Sequence, residues 1–262
     1  IANGLNTSSL HGGSAIWKSD GTTNGTVLVK DTNPQHAFEV PSDLTAYDGK
    51  LFFRALNSTA STTSPHGLWM SDGTTNGTVE IYSDISPQHL TVVGNNLFFI
   101  GSQQTPGNYL WKTDGTTNGT MMIWYDPSSP QGAIGTSLTA VGDTLFFLGY
   151  RQNTGVELWK SDGTTAGTIL VADLYPGNST SNMYSELTAV GEMLFFEASP
   201  NGQQSLWKSD GTTTGTIWVA NVTVGSSSLP ISYMTALGNA VFFATLSQDM
   251  SGTALYRSDG TT

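Results

Sequence analysis

Six aspartates, Asp20, Asp72, Asp114, Asp162, Asp210 and Asp259, each stand directly before a Gly-Thr pair. A carboxylate, a bare backbone and a hydroxyl in succession are the hard oxygen donors that calcium takes, so these six are candidate calcium ligands. The same three residues also make a turn without metal. Asp accepts backbone amides two residues on, Gly takes a positive φ, and Thr begins the next strand. The second recurring carboxylate, such as Asp31 after Asp20, lies beyond a strand of about six residues, roughly 20 Å away, so one repeat cannot offer both to one ion. The alternating acids of a helix-loop-helix calcium loop are absent. No other cofactor is indicated.

Tryptophan is the second residue type with chemistry to offer, because an indole face stacks on the apolar face of a sugar ring while nearby Asp, Asn and Thr bond its hydroxyls. Trp17, Trp69, Trp111, Trp159 and Trp207 recur at one repeat position among apolar neighbours, which equally fits rings wedged between packed sheets. Trp124 and Trp218 break that rule. They stand where other repeats carry smaller residues and are the candidate ligand-binding residues, with outer-strand packing as the competing account. Catalysis has little support. His11, His36, His66 and His89 occupy unrelated repeat positions and form no metal-ligand spacing. No Ser or Thr is marked by a base and an orienting group, and Glu39, Glu80, Glu186 and Glu192 lack a recognisable context for glycoside cleavage. A non-enzyme is expected.

The charge balance narrows the partners. Nine Lys and Arg against twenty Asp and Glu leave a formal net charge of -11, the opposite of the basic stripe that neutralises phosphates or the polybasic segment that binds anionic lipid. Nucleic acid and membrane insertion are therefore excluded from the expected partners; no apolar run approaches the roughly 20 residues that cross a bilayer. With no cysteine there is no disulfide framework, thiolate site or Cys nucleophile. Asn6, Asn57, Asn178 and Asn221 begin Asn-x-Ser/Thr sequons and are candidate N-glycosylation sites, as are three more generated by the repeated Asn-Gly-Thr at Asn24, Asn76 and Asn118. The opening Ile1-Ala2-Asn3-Gly4 does not resemble a signal peptide, which suggests a start inside a longer precursor.

The elements that must position these residues follow from repetition. Copies of Leu-Trp-x-x-Asp-Gly-Thr-x-x-Gly-Thr begin at Ile16, Leu68, Leu110, Leu158, Leu206 and Leu255, spaced 52, 42, 48, 48 and 49 residues apart, with Tyr256 replacing the last Trp. That period, with no 3.6-residue apolar pattern, is the mark of β-propeller blades. Between the copies lies a second unit, for example Leu138-Thr139-Ala140-Val141-Gly142-Asp143-Thr144-Leu145-Phe146-Phe147, which reads as a tight hairpin. Each repeat thus supplies four antiparallel strands: Leu-Thr-Ala, Leu-Phe-Phe, Leu-Trp and Gly-Thr-x-x-Val. Leu-Phe-Phe is continuously apolar, as a strand covered on both faces should be. The expected fold is an all-β propeller of four-stranded antiparallel blades, about six repeats in one domain over 1–262. The first and last repeats are cut mid-blade, which favours a window from a longer array.

The repeat resembles the family named after its Glu-Leu-Trp-x-x-Asp-Gly-Thr consensus, matched in full by Glu157 to Thr164, although Ala15, Gly67, Tyr109, Ser205 and Ala254 replace the leading Glu elsewhere. The resemblance implies an extracellular or cell-surface, non-enzymatic setting. The expected role is lectin-like binding of glycans or other cell-surface components, where several similar weak sites gain avidity. The alternatives are a structural subunit that assembles with itself into a filament or surface layer, and a calcium-stabilised adhesion module.

Overall fold

The computed structural model describes residues 14–33, 40–56, 66–102, 107–126, 134–174, 187–200, 204–224, 227–228, 231–246 and 252–261. All of its regular elements are β-strands. A two-stranded sheet pairs β1 (Ser14–Lys18) with β2 (Val27–Asn33). Four sheets of four strands follow. They comprise β3 (Ser42–Tyr47), β4 (Lys50–Ala55), β5 (Gly67–Ser71) and β6 (Val79–Tyr82), then β7 (Gln88–Val93), β8 (Asn96–Gly101), β9 (Tyr109–Thr113) and β10 (Met121–Trp124). The next are β11 (Ile134–Val141), β12 (Thr144–Arg151), β13 (Gly155–Ser161) and β14 (Ile169–Ala172), and β15 (Thr188–Val190), β16 (Met193–Ala198), β17 (Ser205–Ser209) and β18 (Ile217–Asn221). A small hairpin, β19 (Thr223–Val224) with β20 (Ser227–Ser228), precedes a three-stranded sheet of β21 (Ser232–Leu237), β22 (Ala240–Leu246) and β23 (Thr253–Ser258). In every four-stranded sheet the strands lie side by side in chain order, and each pairing with a described register is antiparallel.

The chain divides into two compact units, one of residues 1–90, 97–106 and 111–121, the other of 91–96, 107–110 and 122–262. In the first, Ile16 and Val29 pack with Phe53, Ala55 and Trp69. In the second, Phe146, Leu158 and Val171 pack with Leu194 and Phe196, and Phe195, Leu206 and Val219 pack with Val241 and Phe243. The Leu-Phe-Phe strands are therefore apolar throughout because neighbouring Phe residues face different sheets. Phe195 belongs to one of these clusters and Phe196 to the other.

The repeated turn is a closed hydrogen-bond network. Asp162 Oδ1 accepts from Thr164 N at 2.8 Å and Thr164 Oγ1 at 2.7 Å. Gly167 N donates to Thr164 Oγ1, Gly163 N donates to Ser161 Oγ, and Ser161 Oγ shares a 2.8 Å bond with Thr168 Oγ1. The equivalents around Asp72, Asp114 and Asp210 repeat these bonds. The glycine after Asp adopts a φ between 82° and 90° in all six copies, a region costly to other residues. The later glycine is needed for space, since a Cβ on Gly167 would coincide with the Asp162 carboxylate.

The last strand of the repeat carries a bulge. Leu158 pairs with Ala172 and Trp159 with Leu170, so Val171 is the extra residue, and it is 3% exposed. Val29, Ile81 and Val219 are skipped and buried in the same way. A bulge takes a carbonyl out of the ladder, and the next repeat uses it. Thr75 Oγ1 donates to Val29 O at 2.9 Å and Thr213 Oγ1 donates to Val171 O at 2.8 Å. Lys18 Nζ reaches Gly73 O and Lys208 Nζ reaches Gly260 O, both at 2.8 Å. Replacing Gly167 by Ala should displace the Asp162 carboxylate and lower stability by about 1–3 kcal/mol in chemical denaturation, with an unchanged β-sheet circular dichroism spectrum.

Candidate ligand-binding site

The aspartates singled out as calcium candidates are all placed in turns. Asp20 and Asp259 make the same Oδ1 bonds as the other four, Asp20 to Thr22 and Asp259 to Thr261. The threonine hydroxyl bond, followed by the threonine amide, holds the carboxyls of Asp20, Asp72, Asp114, Asp210 and Asp259 below their ordinary value. Among the described residues no three His, Cys, Asp or Glu side chains gather as a metal site.

The tryptophans divide. Trp69, Trp111 and Trp159 are 3–6% exposed and stack on Phe53, Phe99 and Phe147 with ring centres 6.2–6.4 Å apart. Trp207 is half-buried against the cluster that contains Phe196. Trp17 is the outlier of the series at 49% exposed. The two ligand candidates part company as well. Trp124 is 4% exposed, packed edge-on to Phe147 and 5.0 Å from Trp159, with Arg151 above both indoles. It is a packing residue with no open face, which corrects its assignment as a sugar platform: a large ring on the outer strand is accommodated by Gly149, where a Cβ would approach both indoles. Trp218 is 44% exposed, sits opposite Trp207, and donates its Nε1 proton to Asn221 Oδ1 at 3.1 Å. Asn221 Oδ1 also accepts from Ser205 Oγ at 2.9 Å. The indole orientation is thereby fixed and an exposed ring face lies beside an amide. Of the glycosylation candidates, Asn24, Asn76, Asn118 and Asn221 are described, and the amide oxygen of Asn221 serves this network; Asn6, Asn57 and Asn178 lie outside the described residues.

Beside Asn221 a cavity of about 340 Å³ opens between β18 and β23. Val219, Phe243 and Tyr256 give it apolar surface, and Thr245, Arg257 and Ser258 give it polar groups. Thr245 is 5% exposed and its hydroxyl has no hydrogen-bond partner among the described residues. Among the described residues the lining contains no carboxylate and no imidazole, and Tyr256 is its one side chain of a type that serves as a general acid or base. These residues escaped sequence reasoning. The signal present was the single replacement of Trp by Tyr256. Tyr233 was also missed, a residue 80% exposed at φ 57°, a conformation disfavoured for aromatic residues.

The buried carboxylates serve the connections between sheets. Glu157, fully buried, accepts from Leu174 N through Oε2 at 2.8 Å. In the β3–β6 sheet the equivalent position is Gly67, and Glu80 from the neighbouring strand lays its carboxylate where a Gly67 Cβ would stand. Burial raises the Glu80 carboxyl, with the Asp84 charge adding to the effect. Glu197 accepts from Ile231 N at 3.2 Å, and burial pushes its carboxyl up to about 7.

No protein-family model matches the chain, and no curated protein matches it. Solved structures do share its fold. A puromycin hydrolase mutant complexed with PGG superposes with a TM-score of 0.57 at 13% identity, and puromycin hydrolase itself at 0.55 and 12%. Each alignment covers 94% of this chain and 40% of the other, so the chain spans two fifths of the length of these neighbours. TolB from Acinetobacter baumannii aligns over 94% of this chain and 60% of its own, at 15% identity and a TM-score of 0.43. The all-β, propeller-like character of the sheets is supported by the likeness to the two puromycin hydrolase structures, which carries nothing about activity.

The raised Glu197 carboxyl sets a direction for pH. The folded state holds its proton more tightly than the unfolded chain, so the contribution of Glu197 to stability is fully present below about 4.5 and is lost as pH rises through about 7. Glu197→Gln should flatten that slope in melting curves measured from pH 4.5 to 8.

Proposed function

We propose that this chain is a non-catalytic binding module, its sheets the blades of a propeller of about six repeats, and that it binds neutral glycans outside the cell. The observation that carries the ligand class is Trp218. An exposed indole held at fixed orientation by Asn221 offers a sugar ring a flat apolar face at little entropic cost, and the amide beside it supplies a directional polar contact. The low charge content, 11% of residues, suits an uncharged ligand. Membership of the Glu-Leu-Trp-x-x-Asp-Gly-Thr repeat family is part of the same proposal, and its support is the six copies of the turn.

Hydrolysis of the kind named for the structural neighbours is not proposed, because the shared fold spans only two fifths of those chains. The aspartate turns are read as caps that need no metal, since each Oδ1 already accepts two protons from threonine. Chelation with EDTA should then leave the melting temperature unchanged, and a fall of several degrees would restore calcium as a structural ligand.

Trp218→Ala should abolish binding on a glycan array, or weaken it about tenfold or more, while the melting temperature stays within about 2 °C because the ring is half-exposed. An array on which the unaltered protein binds no glycan would overturn the sugar reading.

A further inference from the structure

Three of the repeat tryptophans are covered by one position in the last strand of the preceding repeat. Lys30 Nζ lies 5.8 Å from the centre of the Trp69 ring, Tyr82 packs edge-on to Trp111 at 5.4 Å, and Trp124 lies 5.0 Å from Trp159. Lys30 pairs with Ile16, Tyr82 with Leu68 and Ala172 with Leu158, so these hold one place in the repeat, and Trp124 holds it in the third. In the fourth repeat the place thus falls to Ala172, and a methyl group is too short to cover an indole. Trp207, which follows it, is accordingly half-buried, whereas Trp69, Trp111 and Trp159 are 3–6% exposed. Among the described residues no aromatic ring stacks on Trp207, although Phe196 stands opposite it as Phe53 and Phe147 stand opposite Trp69 and Trp159.

We propose that Trp207 and Trp218 together form a two-ring subsite, in which a neutral oligosaccharide lays one ring on Trp218 and the next against Trp207, and that Ala172 is the residue that keeps the second position open. The inference rests on the sugar reading of Trp218 and adds to it the length of the ligand. Trp207 stands directly opposite Trp218 across β17 and β18. Residues paired in this way put their side chains on one face of the sheet, with Cβ atoms about 5 Å apart. That face is the one that meets the cluster of Leu194 and Phe196, against which Trp207 packs. Val219, next to Trp218 along the strand, points to the opposite face and joins the cluster of Phe195 and Leu206. The two indoles are therefore neighbours on one surface.

Two departures from the repeat pattern meet at this place. Ala172 replaces the long cover on the last strand of the fourth repeat, and Trp218 stands on the last strand of the fifth at the position where Glu80 faces Trp69 and Leu170 faces Trp159. Neither change alone would give a double platform: a cover like Tyr82 would close Trp207, and a residue like Leu170 would leave Trp207 without a second ring beside it. The polar groups at hand suit an uncharged ring. Asn221 spends its amide oxygen on Trp218 Nε1 and Ser205 Oγ, which leaves the amide protons to donate to a sugar hydroxyl. The nearby cation is engaged elsewhere, with Lys208 Nζ donating to Gly260 O at 2.8 Å.

The probes are the neutral glycan that binds tightest on the array and its truncations to two rings and to one. Affinity of the unaltered protein should rise about fivefold from one ring to two, the worth of one further aromatic contact. Hydroxyl-radical footprinting should show Trp218 protected by the one-ring probe and both Trp207 and Trp218 by the two-ring probe. In Ala172→Tyr, which installs the cover that Tyr82 gives Trp111, the two-ring probe should bind no tighter than the one-ring probe. Trp207→Leu keeps the place apolar without adding bulk and should lose the same difference, so a tyrosine variant that fails to fold does not spare the proposal. Equal affinity for one and two rings, or a Trp207 left unprotected by the two-ring probe, would overturn the second position while leaving the Trp218 reading intact. An array that retains no glycan removes both.

Discussion

Everything in this structure depends on how a sheet with two apolar faces is held against its neighbour. Apolar burial is non-directional and would tolerate sliding; the hydrogen bond from a turn threonine to the carbonyl of a bulged residue would not. Thr75 on Val29 and Thr213 on Val171 each join one repeat's turn to the preceding repeat's last strand. The bulge supplies both halves of the contact. It turns a valine side chain into the core, and it releases a carbonyl from the ladder. Lysine from the preceding repeat adds a charge-assisted bond to the turn backbone at Gly73 and Gly260.

Seen from these contacts, nearly every residue of the loudest motif has a structural task. Asp caps, the first Gly supplies positive φ, the first Thr completes the cap and the second reaches the neighbouring sheet. The later Gly clears room for the carboxylate, and the final Thr bonds the serine or threonine two residues after Trp. The exposed Trp218 lies outside the motif, whereas the cavity by β23 draws part of its wall from it, through Leu206, Tyr256, Arg257, Ser258 and Thr261.

The division between what was legible and what was not follows the range of the interactions. Strand content, the hairpin turns and the order of four strands per repeat could be read because they follow from local alternation and from turn residues such as Asp48-Gly49, whose φ values are 48° and 69°. Aspartate capping was readable for the same reason, as a contact spanning two residues. Trp124 and Trp218 could not be separated, because they are equally anomalous in sequence. What differs is the partner: Phe147, Trp159 and Arg151 cover Trp124, while Trp218 stays 44% exposed. The bulge at Val171 and the cavity depend on pairing between strands, which no single stretch encodes.

Gly67 and Glu80 suggest how such repeats diverge. In the β11–β14 sheet a carboxylate comes from the residue before Leu158; in the β3–β6 sheet it comes from across the ladder and the residue before Leu68 is glycine. The consensus describes a location in space that either of two strands can furnish. Restoring the consensus letter at one site alone would force two negative groups into one buried volume, so recombining or engineering these repeats calls for exchanging cross-strand pairs as units.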